Sequence, residues 1–99
     1  MQVMIRYQLR ADQLEHDGAL LRAVYDELDA ARPEGLRFAT FVFDDGVSFA
    51  SLVAFDDLPG SAPHHRLASF QHYRSTLDER CAEPPMVTVL HEVGSYGWR

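Results

Sequence analysis

Few side chains in this sequence are equipped for chemistry, and their types narrow it at once. The chain holds no lysine and no asparagine, which excludes a Schiff-base amine and an asparagine oxyanion donor. Of the five histidines, His91 stands between Val89 and Val93 in a β-branched-rich segment. Its ordinary pKa lies near neutrality, so it is the candidate general base. Arg6 and Gln8 alternate with apolar residues near the amino terminus, and Arg6 is the candidate to hold an anion. Thr40, Ser51, Phe38, Phe49 and Tyr73 complete a set of a few polar groups among aromatics, which is what a small-molecule site requires. Structural roles stay open beside these: an interface ion pair for Arg6, a cross-strand hydroxyl pair for Thr40 and Ser51, and a hydrogen-bonded sheet histidine for His91.

The remaining candidates are weaker. His65 and His72 share a helix face but lie seven residues apart, about 10 Å along the axis, too far for one metal ion. No His, Cys and carboxylate spacing matches a metal motif, and no Gly-rich phosphate loop or other cofactor motif is present. His16 and His64 have no partner in the pattern. Cys81 falls in an apolar stripe and reads as an inert thiol. Arg74, at the edge of that stripe, either snorkels or turns to the sheet to hold an anion.

The elements that must position these residues are legible from periodicity. Gln2 to Arg10 alternates as a first strand, with Val3, Ile5, Tyr7 and Leu9 on one side. Asp12 and Glu15 resemble a capping box ahead of a helix with Leu20, Leu21, Val24, Leu28 and Ala31 at helical spacing. Pro33-Glu34-Gly35 stops it, Gly35 being suited to a left-handed cap. Two strands, Leu36 to Asp44 and Val47 to Phe55, flank Asp45-Gly46, which predicts a two-residue hairpin turn with positive φ at both central residues. After a loop from Asp56 to Pro63, which includes Gly60, a second helix carries Leu67, Phe70, Tyr73, Leu77 and Cys81 on one stripe and His72 in solvent. Glu83-Pro84-Pro85 ends it, Met86 to Val93 makes a fourth strand, and residues 94–99, with Trp98, read as a tail.

The order βαββαβ with right-handed crossovers predicts an α+β, ferredoxin-like fold: one four-stranded antiparallel sheet in order 4-1-3-2 with both helices on one face. Arg6 and Arg10 cannot lie unpaired under helices, so Val3, Ile5, Tyr7 and Leu9 should face them. In the hairpin, the small side chains Ala39, Ala50 and Ala54 suggest close helix approach. This leaves Phe38, Thr40, Phe49, Ser51, Val53 and Phe55 to point away as an apolar face for a second subunit, a ligand or both.

Composition bounds the rest. Ninety-nine residues suit a single domain spanning 1–99, and 46% apolar residues suffice for a core. A net charge of -6 removes the general attraction to phosphate, arguing against nucleic acid and anionic membrane as partners. One cysteine, no leader-like start and no apolar run of membrane-spanning length point to a cytoplasmic protein.

The segments Gly35-Leu36-Arg37-Phe38-Ala39-Thr40-Phe41, Asp44-Asp45-Gly46-Val47 and Arg80-Cys81-Ala82-Glu83-Pro84-Pro85, together with the element order, resemble the dimeric α/β-barrel superfamily. In particular they are similar to small antibiotic-biosynthesis-monooxygenase-like proteins of an uncharacterised actinobacterial branch. The resemblance implies a homodimer whose sheets pair face to face, holding a small hydrophobic or aromatic molecule between sheet and helices or inside the barrel. It also implies cofactor-independent monooxygenase-like, isomerase or cyclase chemistry, or a non-catalytic ligand-binding or structural dimer, with haem binding as a third alternative. Haem-degrading relatives use an Asn, a Trp and a helix-borne His, and this chain lacks the Asn.

Overall fold

The computed structural model describes residues 1–56 and 62–97. Gly60, most of the loop that contains it, and Trp98 lie outside them. Strand β1 (Gln2–Gln8) is followed by a single 3-10 turn (Ala11–Gln13) and the 18-residue helix α1 (Leu14–Ala31). The hairpin strands are β2 (Arg37–Val42) and β3 (Ser48–Ala54). A 3-10 turn (Pro63–Arg66), two short helices α2 (Ala68–Ser75) and α3 (Leu77–Arg80), and strand β4 (Met86–Leu90) complete the chain. All strand pairs are antiparallel and the sheet order is β2-β3-β1-β4, the predicted 4-1-3-2 arrangement read from the other edge.

Helix α1 starts differently from the expectation. No side chain caps it, and the 3-10 turn ahead of it, closed by Gln13 N–H donating to the Arg10 carbonyl at 2.9 Å, takes the place of the Asp12–Glu15 box. At its other end the left-handed residue is Arg32 (φ 46°), whose N–H caps the Leu28 carbonyl. Gly35 (φ 73°) serves the following turn, where a Cβ would meet an Asp56 carboxylate oxygen at 3.1 Å. The second helical region is one apolar stripe, as expected, since Leu67, Phe70, Tyr73, Leu77 and Cys81 are all buried. Its backbone breaks at the extended Leu67 and again at Thr76.

The hairpin keeps the predicted register, with Val42 opposite Phe49 and Thr40 opposite Ser51. Its turn departs from the prediction: only Gly46 has positive φ (76°). Gly46 N–H bonds to the Phe43 carbonyl at 2.9 Å, and the Asp45 carboxylate accepts from Val47 N–H, Ser48 N–H and the Ser48 hydroxyl at 3.0, 2.8 and 2.6 Å. Asp45 thereby serves as a local acceptor, which a left-handed residue at its position is not needed for.

The sheet faces are assigned by β1. Ile5 and Tyr7 lie in the buried core, and β3 places Ser51 and Phe49 directly beside them. Phe38, Thr40, Phe49, Ser51 and Val53 therefore face the helices, and the sequence-based assignment of the hairpin faces is inverted. Ring volume decides this. Tyr7 stacks on Phe49 at 5.4 Å, and Phe38 meets Tyr25 and Phe70 edge-on at 5.6 and 5.9 Å. Such rings bury far more apolar area than alanines do. The two hydroxyls under the helices are satisfied in a chain, Tyr25 to Thr40 at 2.8 Å and Thr40 to Ser51 at 2.9 Å. The open face then carries Met4, Arg6, Ala39, Phe41, Leu52 and Met86, with Phe41 and Met86 46% and 62% exposed.

Helices α1 and α2 run antiparallel and are tied at two points. The Glu27 carboxylate of α1 accepts from the N–H and hydroxyl of Ser69 at 3.0 and 2.6 Å, standing in for the side-chain cap α2 lacks. Ten residues earlier on α1, Asp17 bonds Arg80 of α3 at 2.9 Å. Arg80 further donates to the Tyr73 carbonyl and the Thr76 hydroxyl, and the Tyr73 hydroxyl bonds both Tyr7 and Asp17. Every member of this buried cluster has partners, as a charge so far from water requires.

Candidate functional site

The helices cover β2, β3 and β1 but stop short of β4, whose Val87 and Val89 are half exposed. Where the cover ends, a cleft of about 530 Å³ opens between the sheet and α2, a volume typical of small-molecule sites. Its apolar walls come from Val3, Ile5, Val53, Phe55, Phe70 and Val87, and its polar groups are His64, His65, Gln71, Arg74 and Ser75.

His64 defines the chemistry. Pro63 opens the 3-10 turn that carries it, and the extended Leu67 ends that turn, so the imidazole is directed inward, ahead of α2. It is only 4% exposed, and its Nδ1 has no hydrogen-bond partner among the described residues. Rings surround it: Phe55 at 5.3 Å, Phe70 at 4.9 Å, Phe38 at 6.1 Å and His65 at 4.2 Å. Burial, reinforced by the neighbouring His65, pushes its pKa down to about 4. At neutral pH it is an uncharged imidazole with one ring nitrogen unsatisfied, a rare state for a buried polar atom. Arg74, half-buried at the rim, is paired with Asp78 at 3.5 Å, in an exposed i,i+4 pair.

The residues expected from the sequence are dispersed by this geometry. Tyr73 is in the core with its hydroxyl committed to Tyr7 and Asp17, and burial raises its pKa as it raises that of Tyr7, the latter to about 12. Phe38, Thr40, Phe49 and Ser51 lie under the helices, Phe38 touching the His64 ring. Arg6 and Gln8 do reach the open face, where they line a separate hollow of about 260 Å³ with Phe43, Glu83 and Met86; the Arg6 guanidinium lies 5.7 Å from the Phe43 ring centroid. His91 follows the end of β4, which closes at Leu90 rather than Val93, and is exposed away from the cleft. Burial raises the Cys81 thiol's pKa, in keeping with an inert thiol. His64 ranks among the weaker candidates in the sequence because it precedes the helical stripe. The available signal was Pro63 beside it, which starts a turn and sets the ring's direction. Among the described residues no group of three or more His, Cys, Asp or Glu could hold a metal ion, and no helix is long and apolar enough to cross a membrane.

A βαββαβ chain with one antiparallel sheet and a half-covered helix face has a ferredoxin-like α+β fold. Solved structures with this fold match along almost the whole chain. Rv0793 from Mycobacterium tuberculosis is 23% identical with a TM-score of 0.76, covering 95% of both chains. A candidate antibiotic biosynthesis monooxygenase from Nitrosomonas europaea is 19% identical at a TM-score of 0.76, covering 97% of this chain and 92% of its own. An antibiotic biosynthesis monooxygenase is 12% identical at 0.77, covering 94% of this chain and 98% of its own. At these identities the likeness establishes the fold. No protein-family model and no curated protein matches the chain.

Proposed function

We propose that the protein is a homodimer of single-domain subunits that binds a small, largely aromatic molecule in the cleft beside His64. The observation that carries this is the apolar cleft of about 530 Å³ between sheet and α2, whose lining includes His64, an imidazole only 4% exposed and set between the Phe55 and Phe70 rings. The test is binding of 2-naphthol, followed by its own fluorescence. Val87→Trp, a change at the half-exposed mouth, should abolish it; undiminished binding to that variant would place the ligand elsewhere.

The partner surface we assign is the open sheet face, where Phe41, Phe43 and Met86 would otherwise stand in water. Monooxygenation is the activity suggested by the names of the structural neighbours, here without a cofactor; oxygen uptake with 2-naphthol reads it directly, and its absence would leave a ligand-binding dimer. A second reading rests on the hollow around Arg6 and Gln8. There Arg6 would hold an anion inside the paired sheets, and His91, beyond the opposite end of β4, would take no part. In that case Arg6→Met, and not Val87→Trp, would remove binding.

A further inference from the structure

One charge on the open sheet face lacks a counter-charge in its own subunit. Arg6 lies on β1, an inner strand of the sheet, with Met86 beside it on one neighbour and Ala50 on the other. Its guanidinium rests 5.7 Å from the centre of the Phe43 ring. Met86 and Phe43 are 62% and 44% exposed, so a surface that covers these apolar side chains must cover Arg6 as well. Among the described residues Arg6 forms no ion pair, and a guanidinium taken out of water without a carboxylate opposes association strongly. Arg37, also on that face, differs in place: it opens the edge strand β2 at a corner of the sheet, where a facing sheet need not bury it.

The acid is at hand in the same hollow. Glu83, in the bend between the Leu9–Cys81 bridge and β4, is exposed, and its carboxylate has no partner among the described residues. Arg6 and Glu83 stand on the walls of one hollow of about 260 Å³ without meeting. A two-fold axis through that hollow presents each Arg6 to the other copy's acid, because an isologous contact is reciprocal. The guanidinium fork then matches the carboxylate, twice per dimer.

We infer that two copies of the chain are held in register, sheet against sheet, by reciprocal pairs of Arg6 with Glu83 of the partner subunit. The inference rests on the dimer proposed above and adds the contact that fixes its register. It also names the anion taken by the Arg6 hollow, a carboxylate of the second copy in place of a small ligand. Apolar side chains alone would adhere to many surfaces; the charge pair selects a second copy.

Charge reversal with mixing tests this. Arg6→Glu and Glu83→Arg, both at exposed positions, should each raise the dissociation constant of the dimer about a hundredfold in analytical ultracentrifugation, with circular dichroism unchanged. Mixed in equal amounts, the two variants should form a heterodimer of near-parental affinity, since each reversed charge then meets its opposite across the interface. A pair formed inside one subunit would give no such rescue. Asp44→Arg, beside the neighbouring hollow of Phe41 and Phe43, should not rescue Arg6→Glu. Single variants that dimerise like the parent, a mixture that stays monomeric, or rescue by Asp44→Arg overturns the inference while the parent's dimer stands. A monomeric parent removes the dimer and the inference together.

Discussion

The Nε of Arg80 donates to Oδ1 of Asp17 at 2.9 Å, across 63 residues of chain, with both side chains only 2–3% exposed. This pair closes the end of the helical layer on the side of the hairpin turn, where Leu9 N–H bonds the Val47 carbonyl and Arg10 N–H bonds the Arg80 carbonyl, and its energetics follow from burial. Removing one partner leaves a charge in the interior, so Asp17→Leu or Arg80→Met alone should each destabilise the fold by about 3–5 kcal/mol. The double variant should cost far less than the sum. Urea unfolding of the two single variants and the double variant checks this; additive losses would mean that the pair is not coupled.

The hydroxyl chain under α1 predicts an asymmetry of the same kind on a smaller scale. Thr40→Val deprives both Tyr25 and Ser51 of a partner, and should cost about 1–3 kcal/mol. Adding Tyr25→Phe and Ser51→Ala should recover part of that loss, because no orphaned hydroxyl then remains. A triple variant less stable than Thr40→Val alone would contradict it.

His64 predicts a particular acid sensitivity. Its folded pKa is depressed to about 4 from an ordinary value of 6.5, so the unfolded chain takes up a proton that the folded one refuses. Its contribution is fully present above pH 6.5 and is lost progressively as pH falls toward 4, to a total of about 3 kcal/mol. His64→Phe, in a ring-lined setting that accepts a phenyl group, should flatten the stability profile in that window. A slope unchanged between pH 6.5 and 4 in this variant would assign the effect to other groups.

The open face makes a prediction about assembly. Phe41→Asp puts a charge where a partner sheet would lie, and light scattering should show a monomer at micromolar concentration, against a dimer for the parent. Since Phe41 faces away from the helices, the subunit's own fold should survive, as circular dichroism would report. A parent chain that is already monomeric would refute the face-to-face arrangement.

Topology and register were legible because they rest on short-range patterns: the alternation of β1, the Asp45-Gly46 turn and the stripe from Leu67 to Cys81. The identity of the hairpin's inner face was not, because both faces are apolar and the decision belongs to the neighbour β1, through the Ile5–Ser51 and Tyr7–Phe49 pairings. Small alanines suggested close approach, but large rings fill the space under the helices. Asp17 was in phase with Leu20, Leu21, Val24 and Leu28, so an acid on a buried stripe was a visible request for a buried cation. His64 could not be placed from periodicity, since it lies in a turn of four residues whose direction depends on the loop before it.

The two ties between α1 and the α2–α3 segment have a mechanical meaning. Glu27 holds Ser69 and Asp17 holds Arg80, at points about 15 Å apart along α1. The segment that forms one wall of the cleft is thus pinned at both ends to a single long rod. It cannot swing outward to admit a bulkier guest without breaking a pin or dragging the rod off the sheet. Selection of what enters falls instead to the unroofed side at β4, where size is judged at a doorway with a stiff lintel rather than by a closing hand.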